Sequence, residues 1–268
     1  MKRPETATIA NTHLVAPRAA PNFDLSVVCP VYNEERCLPE LLQRLQDVLQ
    51  KLSLGGGFEV LLVDDGSEDR SREIVTQFSQ RHPQVQVVEL GRNRGQFRAL
   101  VEGLRRTTGR YVVTLDADLQ NPPEEIPRVI EALRAGYDLV TTHRRVRHDA
   151  LHRRLASRLS NRLSSWIAGT RIPDHGCMLC GFDQALVQRM CQHAESLNFV
   201  QALALCFAEH PTDLAVNHAP RLHGRSRYDF IDLLRLQLDA AVGFRKVRKR
   251  WALRQSDSTV GRKEVPDR

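Results

Sequence analysis

The chain has 268 residues, of which 41% are hydrophobic, which is enough for one domain of ordinary size with its own core. Its formal net charge of +7 indicates anionic partners such as nucleic acid, a membrane surface or phosphorylated ligands, and composition does not choose among them. The six cysteines do not form a disulfide pattern, no apolar run reaches about 18 residues, and the first residues lack the apolar segment of a signal peptide. A cytoplasmic protein without a transmembrane helix is therefore expected.

Apolar runs alternate with amphipathic segments from Asp24 onward, after a polar stretch over residues 1–23 that is predicted to be a flexible arm. The strand-like runs, in chain order, are LSVVCPVY, FEVLLVDD, VQVVEL, RYVVTLDAD and YDLVTTHR. Helices are predicted between and after them, over about 36–52, 69–80, 96–107 and 123–135. Strands that are apolar throughout and alternate with helices predict an α/β fold with a mostly parallel sheet covered on both faces.

The pattern changes after about residue 145. A basic helical segment is predicted over 148–168, followed by DHGCMLCGF, two helices and a short strand. The last 40 residues or so, 229–268, are predicted to form an amphipathic, Arg-rich helix and a charged tail. The sequence thus predicts one domain over 24–228, between the arm and this C-terminal segment.

Acidic residues follow the strongest apolar strand as Asp116-Ala117-Asp118. Two carboxylates separated by one residue can point the same way in an extended chain. Such oxygens suit Mg²⁺ or Mn²⁺, which usually share their ligands with substrate phosphates. A solvated turn is the alternative, but the strand end and the following Pro122-Pro123, which suit a helix start, favour the metal.

A second acidic group, Asp64-Asp65-Gly66-Ser67, ends another apolar strand. A helix cap by Ser67 or Asp69 is the structural alternative, and it is compatible with ligand binding. A carboxylate here can also accept a hydrogen bond from a nucleobase N–H. The ends of parallel strands share one edge of a sheet, so these groups and the PVYNE segment after the first strand are expected to face one crevice.

The segments PVYNE, VDDGSEDRS, GRNRGQ and LDADLQNPPEEIP, in this order and spacing, resemble family 2 glycosyltransferases with the GT-A (Rossmann-like) fold, and within them the bacterial polyprenyl-phosphate glycosyltransferases. The resemblance continues through DHGCML and NHAPRLHGRSRYDF and covers roughly residues 24–238. It implies an inverting transfer of a sugar from a nucleoside-diphosphate donor, with uridine as the expected base, to a polyprenyl phosphate, with Mg²⁺ or Mn²⁺ as cofactor.

The same resemblance implies roles for matched positions. The residues implied to bind the nucleotide sugar are Pro30, Tyr32, Glu34, Asp64, Asp65 and Asp116. Those implied to hold the metal are Asp116, Asp118 and Gln120, and those implied to act in catalysis are Asp116, Asp118, Arg144 and Arg147. The residues implied to meet donor or acceptor phosphate are Arg144, Arg147, Arg221, Ser226 and Arg227.

Elementary chemistry leads to similar roles. Sugar transfer from a nucleotide diphosphate builds negative charge on the leaving group, which a metal and Arg residues can offset. A phosphate acceptor is already an anionic nucleophile and needs positioning cations, whereas an alcohol acceptor would need a general base. The many Arg residues after position 143 favour the phosphate acceptor, although a solvated basic helix would look the same. A lipid or saccharide hydroxyl acceptor is the alternative.

Several departures from the family pattern bear on these expectations. Cys180 stands where the bacterial relatives usually have Arg, and Cys177 and Cys180 are expected to be core thiols rather than metal ligands. His175 and His218 are expected to have packing roles.

The C-terminus departs furthest from the family pattern. The relatives continue into two transmembrane helices, whereas this chain has FRKVRKRWALRQ and a polar tail. Phe244 and Trp251 among basic residues suit anionic lipid headgroups, which predicts a peripheral position on the inner face of the cell membrane. A disordered basic tail is the alternative, and a separate membrane subunit could replace the missing helices.

Two other functional classes fit the sequence less well. A nucleic-acid-binding protein is not expected, because no recognition motif and no aromatic stacking platform is present. An inactive nucleotide-sugar binder is disfavoured because Asp116, Asp118 and Gln120 are all in place.

Overall fold

The structure is a computed structural model that describes residues 22–144, 177–194 and 199–219, with the backbone alone at Arg144. The strands are β1 (Phe23–Val31), β2 (Phe58–Asp64), β3 (Val85–Glu89), β4 (Gly109–Thr114), β5 (Leu139–Arg144), β6 (Cys180–Asp183) and β7 (Pro211–Val216). The helices are α1 (Leu38–Lys51), α2 (Ser71–Arg81), α3 (Gln96–Leu104), α4 (Ile126–Arg134), α5 (Gln184–Gln192) and α6 (Val200–Phe207), and a 3-10 turn over Pro123–Glu125 precedes α4.

These strands form one seven-stranded sheet in the order β3-β2-β1-β4-β6-β5-β7. Neighbouring strands are parallel except at β6, which is antiparallel to β4 and to β5. The mostly parallel α/β sheet and the strand–helix alternation up to residue 144 are therefore confirmed. The sequence did not single out β6, because four residues inside the apolar run CMLCGF carry no periodicity of their own.

Both faces of the sheet are buried, which explains why its central strands are apolar throughout. Successive residues of β1 point to opposite faces, so Val28 packs with α3, α5 and α6, whereas Val27 packs with α1, α2 and α4. The third helix lies very close to the sheet. A Cβ atom on Gly103 of α3 would be 2.4 Å from the Val28 side chain and 3.0 Å from that of Val63.

The strand order places a topological switch point between β1 and β4. The chain moves from β1 through α1 and α2 to β2 and β3 on one side, and then returns to place β4 on the other side of β1. Connections leave the two strands in opposite directions, so a crevice is expected outside their carboxyl ends. PVYNE and LDAD are the two sequences that follow these ends.

Some predicted segments lie outside the described residues. They are most of the N-terminal arm, the basic helical segment predicted over 148–168, and the C-terminal segment predicted over 229–268. β1 begins at Phe23, one residue before the predicted start of the domain. Among the described residues, none of the helices is long and apolar enough to cross a lipid bilayer.

Candidate functional site

The loop after β1 is tied to the loop after β2 by hydrogen bonds from backbone to side chain. The backbone N–H of Asn33 donates to Ser67 Oγ at 3.1 Å, and that of Glu34 donates to Ser71 Oγ at 2.8 Å. The Asn33 side chain accepts in return from the N–H of Glu68 at 2.8 Å. Asn33 has a φ of 54°, an uncommon conformation that Asn tolerates better than most residues. The PVYNE loop is thereby fixed relative to the acidic end of β2.

Asp64, the last residue of β2, is fully buried. One carboxylate oxygen accepts from the N–H of Ser67 at 3.2 Å, and the other accepts from Arg72 Nε at 3.2 Å. A buried carboxylate needs such partners because its desolvation is costly. The helix cap considered as an alternative exists in part, since Asp69 accepts from the N–H of Ser71 at 2.9 Å.

The neighbouring Asp65 points towards the loop between β3 and α3. Its two carboxylate oxygens accept from the N–H groups of Arg94 at 2.7 Å and Gly95 at 2.9 Å, and the residue is only 3% exposed. Gly66 follows with a φ of 74°, and a Cβ there would lie within 2.7 Å of the backbone of Arg92 and Asn93. Only glycine fits this approach without displacing that loop.

The Asp116-Ala117-Asp118 segment follows β4. Leu115 still donates to Val28 O at 3.0 Å, but the chain enters a turn at Ala117 and Asp118 and does not continue as a strand. Asp116 is half-buried, and its Oδ1 accepts from Gln96 Nε2 at 2.7 Å. Asp118 is 8% exposed, and its Oδ1 accepts from the N–H of Gln120 at 3.1 Å.

The residue after Asp118 is held in a costly conformation. Leu119 has a φ of 61°, which an L-residue without a compensating side chain seldom adopts, and its own side chain is buried. Backbone of this kind persists only where the surroundings enforce it, and it is concentrated at ligand-binding loops.

The acidic residues converge on the end of β1. Val31 of β1 is paired with Asp64, and Val28 is paired with Thr114, so that Asp116 follows at nearly the same level. Two strand spacings, about 10 Å, therefore separate the backbones that carry these two aspartates. The predicted placement of Asp64, Asp116 and Asp118 at one edge of the sheet agrees with this geometry.

A buried thiol, Cys29, reports the same convergence. Its pKa is raised well above the ordinary value, first by burial and then by the negative charges of Asp116, Asp118 and Glu34. All three carboxylates are therefore near enough to the end of β1 to influence one side chain. A cation bound near these three carboxylates would be stabilised by their combined negative charge.

A divalent cation would have to be shared with a ligand. The described part of the chain holds no cluster of three or more His, Cys, Asp or Glu side chains arranged for a metal ion. Asp116, Asp118 and the amide of Gln120 supply oxygen donors only, which is the chemistry that Mg²⁺ and Mn²⁺ favour. The donor set fits an ion that takes its remaining ligands from a bound diphosphate and water.

Buried polar groups that the sequence did not reveal support this acidic loop from below. Asn121, 1% exposed, accepts at Oδ1 from the Cys177 thiol at 2.9 Å, and Thr142 Oγ1 lies 2.8 Å from the same sulfur. The thiols at 177 and 180 are buried and belong to no disulfide, which confirms that they are core residues. Where the bacterial relatives are expected to have Arg, Cys180 places a neutral thiol whose pKa is raised mainly by burial.

The segment after β7 is anchored to the same loop. Glu125 Oε1 accepts from the N–H and the side-chain amide of Asn217, at 3.2 and 2.7 Å, and its Oε2 accepts from Arg128 at 2.7 Å. Two residues later, Ala219 donates to the carbonyl of Gln120 at 2.9 Å. The NHA residues were part of the family resemblance, but Glu125 as their partner had no signal in the sequence.

The remaining predicted site residues divide as follows. Pro30 and Tyr32 lie at the β1 end, and the backbone of Arg144 ends β5, two strands from β4 at the same edge. The predicted residues that lie outside the described part of the chain are Arg147, His175, Arg221, Ser226, Arg227, Phe244 and Trp251.

A family model described as "Glycosyl transferase family 2" matches residues 26–191, which is more than half of the chain. The chain belongs to glycosyl transferase family 2. This family 2 chain is 45% identical over 216 residues to an undecaprenyl-phosphate 4-deoxy-4-formamido-L-arabinose transferase of Pseudomonas aeruginosa, covering 80% of this chain and 63% of that protein. It is 41% identical over 222 residues to the protein of the same name in Salmonella paratyphi B, covering 82% and 67%. The chain thus spans about two thirds or less of the length of these relatives.

The fold is also found in solved structures. Glucosyl-3-phosphoglycerate synthase from Mycobacterium tuberculosis, in complex with Mn²⁺, uridine diphosphate and phosphoglyceric acid, matches with a TM-score of 0.62 at 17% identity. The match covers 84% of this chain and 78% of the synthase. At this identity the likeness concerns the fold alone, and it confirms the GT-A fold that was expected for this family 2 chain.

Proposed function

We propose that this member of glycosyl transferase family 2 moves a sugar from a nucleoside-diphosphate donor of the UDP type to a polyprenyl phosphate, with inversion at the sugar carbon. The observation that carries the proposal is the position of Glu34, Asp116 and Asp118 just beyond the carboxyl ends of β1 and β4, at the switch point of the sheet. The names of its relatives, which act on undecaprenyl phosphate, support this acceptor class.

The donor nucleoside would lie along the ends of β1 and β2. Pro30, Tyr32 and Glu34 belong to a loop that is held to the β2 end through Ser67 and Ser71. The buried carboxylate of Asp64 lies beside them, and it would accept a hydrogen bond from a base N–H in exchange for its contact with the partly exposed Arg72. This arrangement supports the predicted nucleoside pocket, because both of its walls are fixed before the ligand arrives.

The metal, Mg²⁺ or Mn²⁺, would be held by Asp116, Asp118 and Gln120 together with the donor phosphates. When bound, it would supply positive charge where the leaving diphosphate becomes more negative. The protein's part is to hold two carboxylates at fixed positions, through the turn at Gln120 and the buried support of Asn121. A fixed site loses no reorganisation energy during the reaction.

The acceptor phosphate would be met by Arg144 and Arg147 after β5 and by Arg221, Ser226 and Arg227. The hydrogen bond from Ala219 to Gln120 supports this assignment, because Ala219 is two residues before Arg221 in the sequence and lies beside the proposed metal ligand Gln120. An acceptor phosphate is ionised at neutral pH, so these cations position it and no general base is required.

A direct test is a panel of nucleotide sugars with Mn²⁺ or Mg²⁺, scored for transfer to a short-chain polyprenyl phosphate. We expect metal-dependent transfer from one uridine-diphosphate sugar, with inversion of the anomeric configuration of the donor. Retention of configuration, or transfer at the same rate in excess chelator, would contradict the proposal.

A second candidate keeps the donor and replaces the acceptor by a lipid or saccharide hydroxyl. The buried neutral thiol of Cys180, at the position where Arg is expected, favours it, because one phosphate-facing cation is absent there. Parallel reactions with a polyprenol and with its phosphate ester separate the two. Faster transfer to the alcohol would establish the second candidate.

The metal assignment has its own test in Asp118→Ala. We expect binding of uridine diphosphate to lose its dependence on Mn²⁺ in calorimetric titrations, because one of two proposed carboxylate ligands is gone. Asp47→Ala, at an exposed position on α1, is the matched control and should bind as the wild type does. Unchanged Mn²⁺ dependence in Asp118→Ala would remove the metal from this site.

The cellular position also follows from the proposed acceptor. A peripheral location on the inner face of the cell membrane, with or without a separate membrane subunit, would bring the site to a lipid-borne phosphate. Deletion of residues 244–268 should reduce flotation with anionic liposomes, since the basic and aromatic residues there suit such a surface. Flotation that is unaffected by the deletion would exclude this segment as the attachment.

A further inference from the structure

We propose that Gln96 is a positioning residue for Asp116, and that Asp65 acts through Gln96 rather than by binding the nucleotide. The inference deepens the proposed function at the same site, and it rests on that function only for its kinetic readout. Its starting point is the 2.7 Å hydrogen bond from Gln96 Nε2 to Asp116 Oδ1, which joins α3 to the acidic segment after β4.

Both oxygens of the Asp65 carboxylate accept hydrogen bonds from the loop between β3 and α3. Its oxygens accept from the N–H groups of Arg94 and Gly95, at 2.7 and 2.9 Å, and Gly95 is also 3.0 Å from Asn93 Oδ1. These amides directly precede Gln96, the first residue of α3. A carboxylate bonded to successive backbone amides fixes the direction in which the helix begins.

Packing fixes the same loop from a second side. The backbone of Gly66 lies against Arg92 and Asn93 so closely that no side chain fits between them. Behind Gln96, Ala99 donates to Gly95 O at 3.1 Å, and Leu100 is buried against the sheet. The backbone position of Gln96 is therefore fixed by the contact with the loop after β2 on one side and by the core on the other.

The choice of an amide at position 96 has a physical reason. A neutral N–H donor can orient the Asp116 carboxylate without cancelling its charge, which a Lys or Arg at the same place would do. A carboxylate that is to share a divalent cation needs both a fixed direction and its full negative charge. Gln96 fixes the direction of the Asp116 carboxylate and leaves its negative charge in place.

This arrangement changes the role of Asp65. The family resemblance placed it among the nucleotide-binding residues, yet both of its oxygens are bonded to protein amides and only 3% of the residue is exposed. It reaches the reaction through the path from Arg94 and Gly95 to Gln96 and then to Asp116.

The first test uses the free protein, so it does not depend on the proposed reaction. In ¹H–¹⁵N spectra, the side-chain amide signals of Gln96 should move on Asp116→Asn and also on Asp65→Asn. The side-chain amide of Gln43, which donates to Asp47 at 2.9 Å on the exposed face of α1, is the matched internal control and should not move. A Gln96 signal that ignores Asp65→Asn would overturn the coupling.

The second test measures metal activation. Gln96→Ala should lower the apparent Mn²⁺ affinity in the transfer reaction about tenfold, in the range expected for one charge-assisted hydrogen bond, with the melting temperature unchanged. Gln96→Glu should lose more, because it replaces the donor by a second negative charge beside Asp116. Gln43→Ala removes a Gln–Asp bond of the same kind and should behave as the wild type. A Mn²⁺ dependence unchanged in Gln96→Ala would refute the positioning role.

A double-mutant comparison decides how Asp65 acts. If it acts through Gln96, Asp65→Asn should cost activity in the wild type but little more in the Gln96→Ala background. Losses that multiply would mean that Asp65 acts independently of Gln96, which would overturn the proposed path. Should the wild type bind Mn²⁺ and uridine diphosphate without transferring sugar to polyprenyl phosphate, the proposed acceptor fails, and the same cycle is then measured on nucleotide binding.

Discussion

Two buried cysteines lie beside the candidate site, Cys29 on β1 and Cys180 at the start of β6. Burial is the largest cause that raises the pKa of each thiol above its ordinary value of 9.0. Negative charges of nearby carboxylates add to it at Cys29, and Cys177 followed by Asp116 adds to it at Cys180. In the folded protein both thiols thus keep their protons at pH values at which an unfolded chain loses them. Unfolding therefore releases protons above about pH 9, so that stability falls as the pH rises.

This linkage predicts a measurable pH dependence. The free energy of unfolding should decline between about pH 9 and 11, with up to about 1.4 kcal/mol per pH unit from each thiol. Urea denaturation of the wild type and of Cys29→Ala/Cys180→Ala, at several pH values, measures it. The double variant should be less stable at pH 7.5, because two core groups are truncated, but should decline less steeply above pH 9. Parallel curves for the two proteins would contradict this explanation.

At the scale of single elements, α3 shows how close packing serves the site. Gly103 allows the helix to lie against Val28 and Val63, and the same helix carries Gln96 at its opposite end. A change in helix position would therefore reach Asp116 through Gln96. Helix–sheet packing and site geometry are linked here by one rigid element.

Gly103→Ala should destabilise the protein by about 1–3 kcal/mol, because the new methyl group would lie 2.4 Å from the Val28 side chain and must displace α3 or β1. Ala has a higher helix propensity than Gly, so propensity alone would predict a gain in stability. Thermal or urea denaturation distinguishes them. Arg98→Ala, an exposed position on the same helix, serves as control and should stay within about 0.5 kcal/mol of the wild type.

A second element-scale link joins the turn before α4 to the end of β7 through Glu125. Glu125 is only 5% exposed, and its carboxylate accepts from both Asn217 and Arg128. Its neighbour Glu124 is exposed and pairs with Arg44 at the surface. The two adjacent acids thus differ in burial and in the number of elements they connect.

Glu125→Gln should cost about 1–3 kcal/mol of stability, because a buried carboxylate that accepts from three N–H groups is partly replaced by a donor. It should also lower sugar transfer, since the chain leading to Ala219 and Gln120 loses its anchor. Glu124→Gln, which affects an exposed ion pair, should cost no more than about 1 kcal/mol. Denaturation and initial-rate measurements on both variants test this, and equal effects would show that the buried network is unimportant.

For the whole molecule, the two edges of the sheet use buried acids for different purposes. At the amino ends of the strands, Glu59 of β2 is 1% exposed. It accepts from Ser26 of β1 at 2.6 Å and from the N–H of Thr108, just before β4, at 2.6 Å, and so joins three neighbouring strands. At the carboxyl ends of the strands, Asp116 and Asp118 lie next to Leu119, whose positive φ is costly for a residue of its kind. Buried polar groups at the amino ends of the strands serve structure, whereas those at the carboxyl ends lie at the proposed ligand site.

Hydrogen exchange measured with and without Mn²⁺ and uridine diphosphate tests this division. Ligand should slow amide exchange in the loops over residues 32–36, 64–67 and 115–121. The loops at the opposite edge, over 53–57 and 105–108, should exchange as in the free protein. Protection confined to the amino edge would place the ligand elsewhere and remove the switch-point crevice as the site.

The sequence by itself determined the alternation of strands and helices up to residue 144, because each apolar run and each amphipathic segment records its own burial. It also placed Asp64, Asp116 and Asp118 at strand ends, since the apolar runs stop there. Local patterns do not record partners. Only the tertiary structure decided that β6 enters the sheet antiparallel, that Asp65 holds the loop before Gln96, and that Cys177 supports Asn121. These contacts join residues far apart in the chain, so their existence depends on how the elements pack and not on any periodicity within them.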